Sequence, residues 1–144
     1  MPLHMRMQTG AVINERFRDA SAWQSIAGYS RASRIGQHIA VSGTTADLDS
    51  LSPESAHSTY TQTLNCLGRG IDAVIDLGGS IEGILRTRMF LAPGSDPVEA
   101  SRAHAELLGE AAPANTTLFV HSLVGSEFLV EIEIEALVVK EVSE

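Results

Sequence analysis

The segment FLVEIEIEALVVKE (128–141) constrains the fold more than any other stretch. Val130, Ile132, Ile134, Ala136 and Val138 share one parity, and Glu131, Glu133 and Glu135 share the other. Side chains alternate across a strand, so this run predicts a β-strand with one face under apolar cover and three carboxylates on the other. Alternate positions on one face are only about 7 Å apart. The glutamate face therefore calls for cations on a neighbouring strand.

The rest of the chain supplies partners for such a strand. GILRTRMFLA (83–92) predicts a strand that sends Leu85, Met89 and Leu91 to the covered face and Arg86, Arg88 and Phe90 to the open one. NTTLFVHSLV (115–124) predicts another, with Leu118 and Val120 inward and Asn115, Thr117, Phe119 and His121 on the open face. Its successor VGSE reads as a hairpin connection into the last strand. Tyr29–Ala46 reads as two strands joined at Ile35-Gly36-Gln37. Between them, SPESAHSTYTQTLNCLGRGIDAVIDLGGS predicts a helix capped by Ser52, with Pro53 at N1, Glu54 in the first turn and Gly78-Gly79 as the stop. Leu64, Leu67, Ile71, Val74 and Ile75 form its apolar face. Gly68 and Gly70 weaken its interior by about 1 kcal/mol each, which implies a close neighbour there. A second helix opens at Asp96-Pro97 and ends at Gly109. Residues 1 to about 12 read as a loose tail. The expected order is β-β-α-β-α-β-β: one α+β domain over 1–144, with a mixed sheet and two helices on one face.

Composition narrows the function. Hydrophobic residues are 44% and charged residues 19%, ordinary globular values. The net charge of −8 disfavours non-specific binding to phosphate backbones, so nucleic acid is not an expected partner. The N-terminal MPLHMRMQTG has no signal-peptide h-region, and no apolar run approaches the ~18 residues of a membrane span. A cytoplasmic location without membrane contact is the simplest expectation. The five histidines lack ligand spacing, so no metal site is expected. Cys66, on the first long helix, reads as a packed structural thiol rather than a nucleophile.

Four stretches together resemble the Rid family, also called YjgF-like, reactive-intermediate deaminase or endoribonuclease L-PSP. GYSRASRIGQHIAVSG is similar to its Gly-Pro-Tyr-Ser…Gly-Asn…Val-Ser-Gly opening. LRTRMFLAPGSDPVEASRAHAELLGEAAPANTTLFV resembles its Val-Phe-Leu…Asp…helix…Pro-Ala-Arg-Ser/Thr segment, and VEIEIEAL its closing Val-Glu-Ile-Glu-Ala. The similarity covers about 27–140. It implies a chorismate-mutase-like fold and a homotrimer whose sheets face inward around three inter-subunit clefts. In the deaminating branch, the Arg of Pro-Ala-Arg clamps the carboxylate of a 2-imino acid and a last-strand Glu positions water. Keto acid and ammonia leave without a cofactor.

Carried over residue by residue, the resemblance assigns Tyr29, Ser42, Gly43 and Thr117 to the cleft. Glu133 matches the catalytic glutamate, with Glu131 the alternative. Ser101 stands where many members have a helix Asn. Asn115 stands at the clamp Arg, which places the chain with branches that lack it. A charge-assisted clamp contributes about 1.5–3 kcal/mol that a neutral amide does not supply. Arg88 and Arg31 are the candidate replacements, unless both are ion-paired internally. Phe119 or Phe90 would form an apolar wall. The expected function is binding or hydrolysis of a small metabolite in the clefts. Alternatives are an imine or enamine deaminase with a relocated Arg, a non-enzymatic chaperone-like or interaction protein, and an endoribonuclease.

Overall fold

A computed structural model describes residues 12–139. The tail expected over 1 to about 12 falls almost wholly outside them. The elements are β1 (Asn14–Phe17), α1 (Ala22–Ala27), β2 (Ala32–Ile35), β3 (His38–Thr44), α2 (Thr59–Asp76), β4 (Ile84–Leu91), α3 (Pro97–Leu108), β5 (Ala114–Phe119) and β6 (Val130–Leu137). The sheet has six strands in the order β1-β2-β3-β6-β4-β5, all antiparallel except the β4–β5 pair. The α+β fold with a mixed sheet and two main helices stands, extended at the front by β1 and α1, which the sequence did not announce.

β6 lies between β3 and β4. Val130, Ile132, Ile134 and Ala136 are at most 1% exposed, with Ile39, Val41, Leu67, Val74, Met89 and Leu91 around them. α2 packs on β3 and β6, and α3 packs on α2. The Asp96 carboxylate accepts from the backbone of Val98 and Glu99, and Gly109 closes α3, as expected.

Four expectations change. α2 starts at Thr59, where the Ser58 hydroxyl accepts from Thr61 N at 3.1 Å. Ser52 instead caps a separate short turn, accepting from Ser55 N. The buried face of α2 runs through Thr63, Cys66, Leu67, Gly70, Ile71 and Val74, whereas Ile75 is exposed. In β4 the register slips between Ile84 and Arg86, so Ile84 enters the core and Leu85 turns out to solvent. VGSE is no hairpin. β5 pairs with β4 alone, and the chain must cross the end of β4 to reach β6.

The two interior glycines of α2 differ. A Cβ at Gly70 would lie 2.7 Å from Ile134 Cδ1 and 3.1 Å from Ile132 Cδ1, which is the close approach the sequence implied. Nothing lies within 4 Å of the same position at Gly68. Gly68→Ala is expected to stabilise the protein by about 0.5–1 kcal/mol through helix propensity. Gly70→Val is expected to destabilise it by about 1–3 kcal/mol through overpacking. Urea unfolding of the two variants checks the contrast.

Candidate functional site

The open face of the sheet takes its charges from β4 and β6. Arg86 is opposite Glu135, Arg88 opposite Glu133 and Phe90 opposite Glu131. Arg88 Nη1 lies 3.5 Å from Glu133 Oε1 and 3.4 Å from Glu135 Oε2. Its guanidinium is thus ion-paired with the very carboxylates whose repulsion it relieves.

Beside this face, β3 carries an irregularity. Val41 pairs with Ile134 but Thr44 pairs with Ile132, so three steps of β3 match two of β6. The extra residue sits at Ser42-Gly43, and the bulge reverses the parity beyond it, burying Thr44 completely. Gly43 lies against the Glu131 carboxylate so closely that a Cβ would overlap Oε2. Ser42 is turned to structural use: its hydroxyl donates to Ser30 O at 2.6 Å.

The bulge forms one wall of a pocket of about 410 Å³ lined by Ser21, Trp23, Tyr29, Arg31, Gly43, Thr45, Val124, Phe128 and Glu131. Each wall has a local cause. The short helix α1, ended by Gly28 in the left-handed region (φ 74°), delivers Trp23 and leads into Tyr29. Gln62, fully buried on α2, accepts from Leu129 N and donates to Glu127 O, which fixes the backbone on both sides of Phe128.

Arg31 anchors the floor. Its side chain is 6% exposed. Nε donates to Asp19 Oδ2 at 3.1 Å, and Nη1 donates to Gly43 O at 2.8 Å and Thr44 Oγ1 at 3.0 Å. Asp19 also takes Arg69 Nη2 at 3.0 Å and a hydrogen bond from Gln24. Burial alone would raise the Asp19 carboxyl, but Arg31, Gln24 and the Ser21 N–H together hold it below its ordinary value of 3.8. Glu131 moves the other way. Burial pushes its carboxyl above the ordinary 4.5, Glu133 adds to the rise, and Arg31 opposes it less strongly.

Of the residues singled out from sequence, Tyr29, Gly43, Glu131 and Arg31 meet in this pocket, with Glu133 and Arg88 next to it on the sheet. Asn115, Thr117 and Phe119 do not join them within the chain. They pair with Thr87, Met89 and Leu91, whose side chains lie on the helix-covered face. Asn115 Nδ2 donates to Thr87 Oγ1 at 3.0 Å, Thr87 Oγ1 pairs with His104 Nε2 of α3 at 2.7 Å, and the Thr117 hydroxyl donates to Asn115 Oδ1. Ala114, Thr116 and Leu118 hold the open face instead, where Thr116 accepts from Arg86. β5 is an edge strand reaching beyond the helix layer, so Leu118 and Phe119 are both exposed and apolar character does not mark the inner side. Ser101 donates to Pro97 O on the outer side of α3. Cys66 is fully buried and its thiol is pushed up to about 12, which makes it a packing group.

Sequence reasoning missed Ser21, Trp23, Thr45, Val124 and Phe128. The signal available was Trp23, the one tryptophan of an aromatic-poor chain, standing between a Ser and a Gly with helix-cap character.

The Asp19 network yields a pH-dependent prediction. A carboxyl lowered on folding contributes stability that is present above its unfolded pKa and is lost as pH falls through the folded value. Asp19→Asn is expected to cost about 2–3 kcal/mol at pH 7, somewhat less than for a fully buried pair because Asp19 is a quarter exposed. The deficit against wild type should shrink as pH drops below 3.8. Denaturant titrations at pH 7 and in acid measure it.

Comparison with known proteins agrees with this architecture. The family model for endoribonuclease L-PSP matches residues 19–138. SCO2049 of Streptomyces coelicolor is 36% identical over 122 residues, 84% of this chain and 90% of that protein. The crystal structure of Rv2704 from Mycobacterium tuberculosis, a member of the YjgF/YER057c/UK114 family, superposes with a TM-score of 0.77 at 31% identity, covering 87% of this chain and 99% of that one. NMB1025 of Neisseria meningitidis, a YjgF-family protein, shares the fold at 20% identity, with a TM-score of 0.70 over 88% of this chain and 96% of its own. By sequence and by fold, the chain belongs to the endoribonuclease L-PSP (YjgF/YER057c/UK114) family.

Proposed function

We propose that this protein binds a small metabolite in the pocket between α1, the β3 bulge and β6, and hydrolyses a C=N bond there without a cofactor. The observation that carries the reading is the half-buried Glu131 carboxylate in a pocket of about 410 Å³ with apolar walls. A carboxylate of raised pKa in such a place suits general-base work. It would take a proton from water as the water oxygen attacks the imine carbon. It would return that proton to nitrogen and then take the remaining proton from the carbinolamine hydroxyl, as the C=O bond forms, the C–N bond breaks and the amine or ammonia leaves. Tyr29 and Ser21 are the neutral hydroxyl groups at hand for orientation. Glu133, held by Arg88, would be the second carboxylate and help keep the Glu131 pKa high.

The working unit in this proposal is a homotrimer. Within one chain, Asn115, Thr117 and Phe119 are separated from Glu131 by β4 and by the thickness of the sheet. They contribute to a pocket only by closing that of a neighbouring copy, and the exposed Leu118 and Phe119 on an edge strand suit such a contact. The neutral Asn115 would then leave the ligand without a clamping cation. Endoribonuclease action, suggested by the family name, is disfavoured by the net charge of −8 and the acidic open face.

The test is hydrolysis of freshly generated imines and enamines, followed by release of carbonyl product. Wild type is expected to accelerate at least one, and Glu131→Gln to lower kcat by about 10²–10⁴-fold. Because the base must be ionised, the rate should fall on the acid side through a pKa above 4.5, and Glu131→Gln should abolish that limb. Acceleration that survives Glu131→Gln but not Glu133→Gln would transfer the role to Glu133. No acceleration across the panel would sink the hydrolase reading.

A further inference from the structure

We propose that the pocket selects a compact apolar amine or iminium and rejects its carboxylate counterpart. This deepens the proposed function and rests on the same pocket being the ligand site.

The charges around the pocket are unequally satisfied. The Arg31 guanidinium is engaged by Asp19, the Gly43 carbonyl and the Thr44 hydroxyl, and is almost entirely buried. Arg69 shares Asp19 and donates to Thr45 O, and Arg18, exposed outside the pocket lining, donates to Ser30 Oγ. Arg88 serves two glutamates at once. Glu131 stands apart: among the described residues its carboxylate has no hydrogen-bond or ion-pair partner, although it is half-buried and lines the cavity. A partly desolvated anion without a partner favours an occupant that brings N–H donors and positive charge. A ligand carboxylate would meet Glu131 across a small space, where Arg31, the guanidinium lining the pocket, is already engaged and cannot repay its desolvation.

The walls agree with this. Trp23, Tyr29 and Phe128 present aromatic surface beside the anion, and ring faces attract ammonium and iminium groups. Val124 adds apolar lining for the ligand body, and about 410 Å³ suits a body of roughly one substituted ring, near the low end of ligand pockets. Nor does β5 supply an anion receptor: the Asn115 amide is neutral and already bonded to Thr87 and Thr117.

Trp23, the single tryptophan, lines the pocket, so its fluorescence reports occupancy there. Three probes of one skeleton separate charge from shape: 2-phenylethylamine, 3-phenylpropanoate and 2-phenylethanol. In wild type at pH 7, the ammonium is expected to bind at least ~10-fold more tightly than the carboxylate and more tightly than the alcohol. Glu131→Gln should erase that preference, bringing ammonium affinity down to that of the alcohol. The wild-type comparison stands alone if the variant folds poorly. Equal or tighter binding of the carboxylate, or an ammonium preference indifferent to Glu131→Gln, overturns the proposal. If the alcohol binds as well as the ammonium, charge selection fails while the pocket remains the ligand site. If none of the three perturbs Trp23, the pocket reading fails with it.

Discussion

One-sided burial of β6 is the constraint on which the rest of this structure depends. Its four apolar side chains from Val130 to Ala136 lie under α2, next to β3 and β4. Once they are in, Glu131, Glu133 and Glu135 have no choice of face. Three neighbouring carboxylates at strand spacing then require compensation, which Arg88 provides for two of them. The third is left at the point where β3 bulges away. The site is thus a by-product of core formation together with one extra residue at Ser42-Gly43.

That arrangement explains which features were legible. β6 and α3 were readable because their signals are local: a strict two-residue period in one, and an Asp-Pro start with a Gly stop in the other. The face of β5 was not. Alternation identifies the inner side of a strand only when something covers that side, and β5 lies at an edge where both sides meet solvent. The turn-forming VGSE carried correct local chemistry, but which strand pairs with which is a tertiary outcome, and β4 sits between β5 and β6. Ser52 was likewise a real cap, though of a short turn ahead of α2.

In the candidate site, the family resemblance names Tyr29, Gly43 and, as the alternative to Glu133, Glu131, and it brings in Arg31 beside the Tyr-Ser motif. Trp23, Val124 and Phe128 could not be named, since they come from a six-residue helix and an irregular connection. Arg31 shows the division within a single residue. Its candidacy as an anion reader came from sequence position. Its actual engagement with Asp19, Gly43 and Thr44 depends on α1, the bulge and α2 arriving together, with Arg69 gripping the same carboxylate.

The crossing from β5 to β6 has a consequence for how proteins of this shape can diversify. The segment passes over the end of β4 and is fastened at its two ends: Val120 N donates to Leu91 O at 2.9 Å, and Gln62, Ser95 and Ala92 bind the backbone of Glu127 and Leu129. Between those ends, Val124 faces the cavity without contributing to the core. Residues there can be exchanged, or the span lengthened, at little thermodynamic cost. The acidic floor of the pocket and its outer lip are therefore separable modules. A lineage can reshape the pocket by editing a strap while the acidic strand beneath it stays untouched.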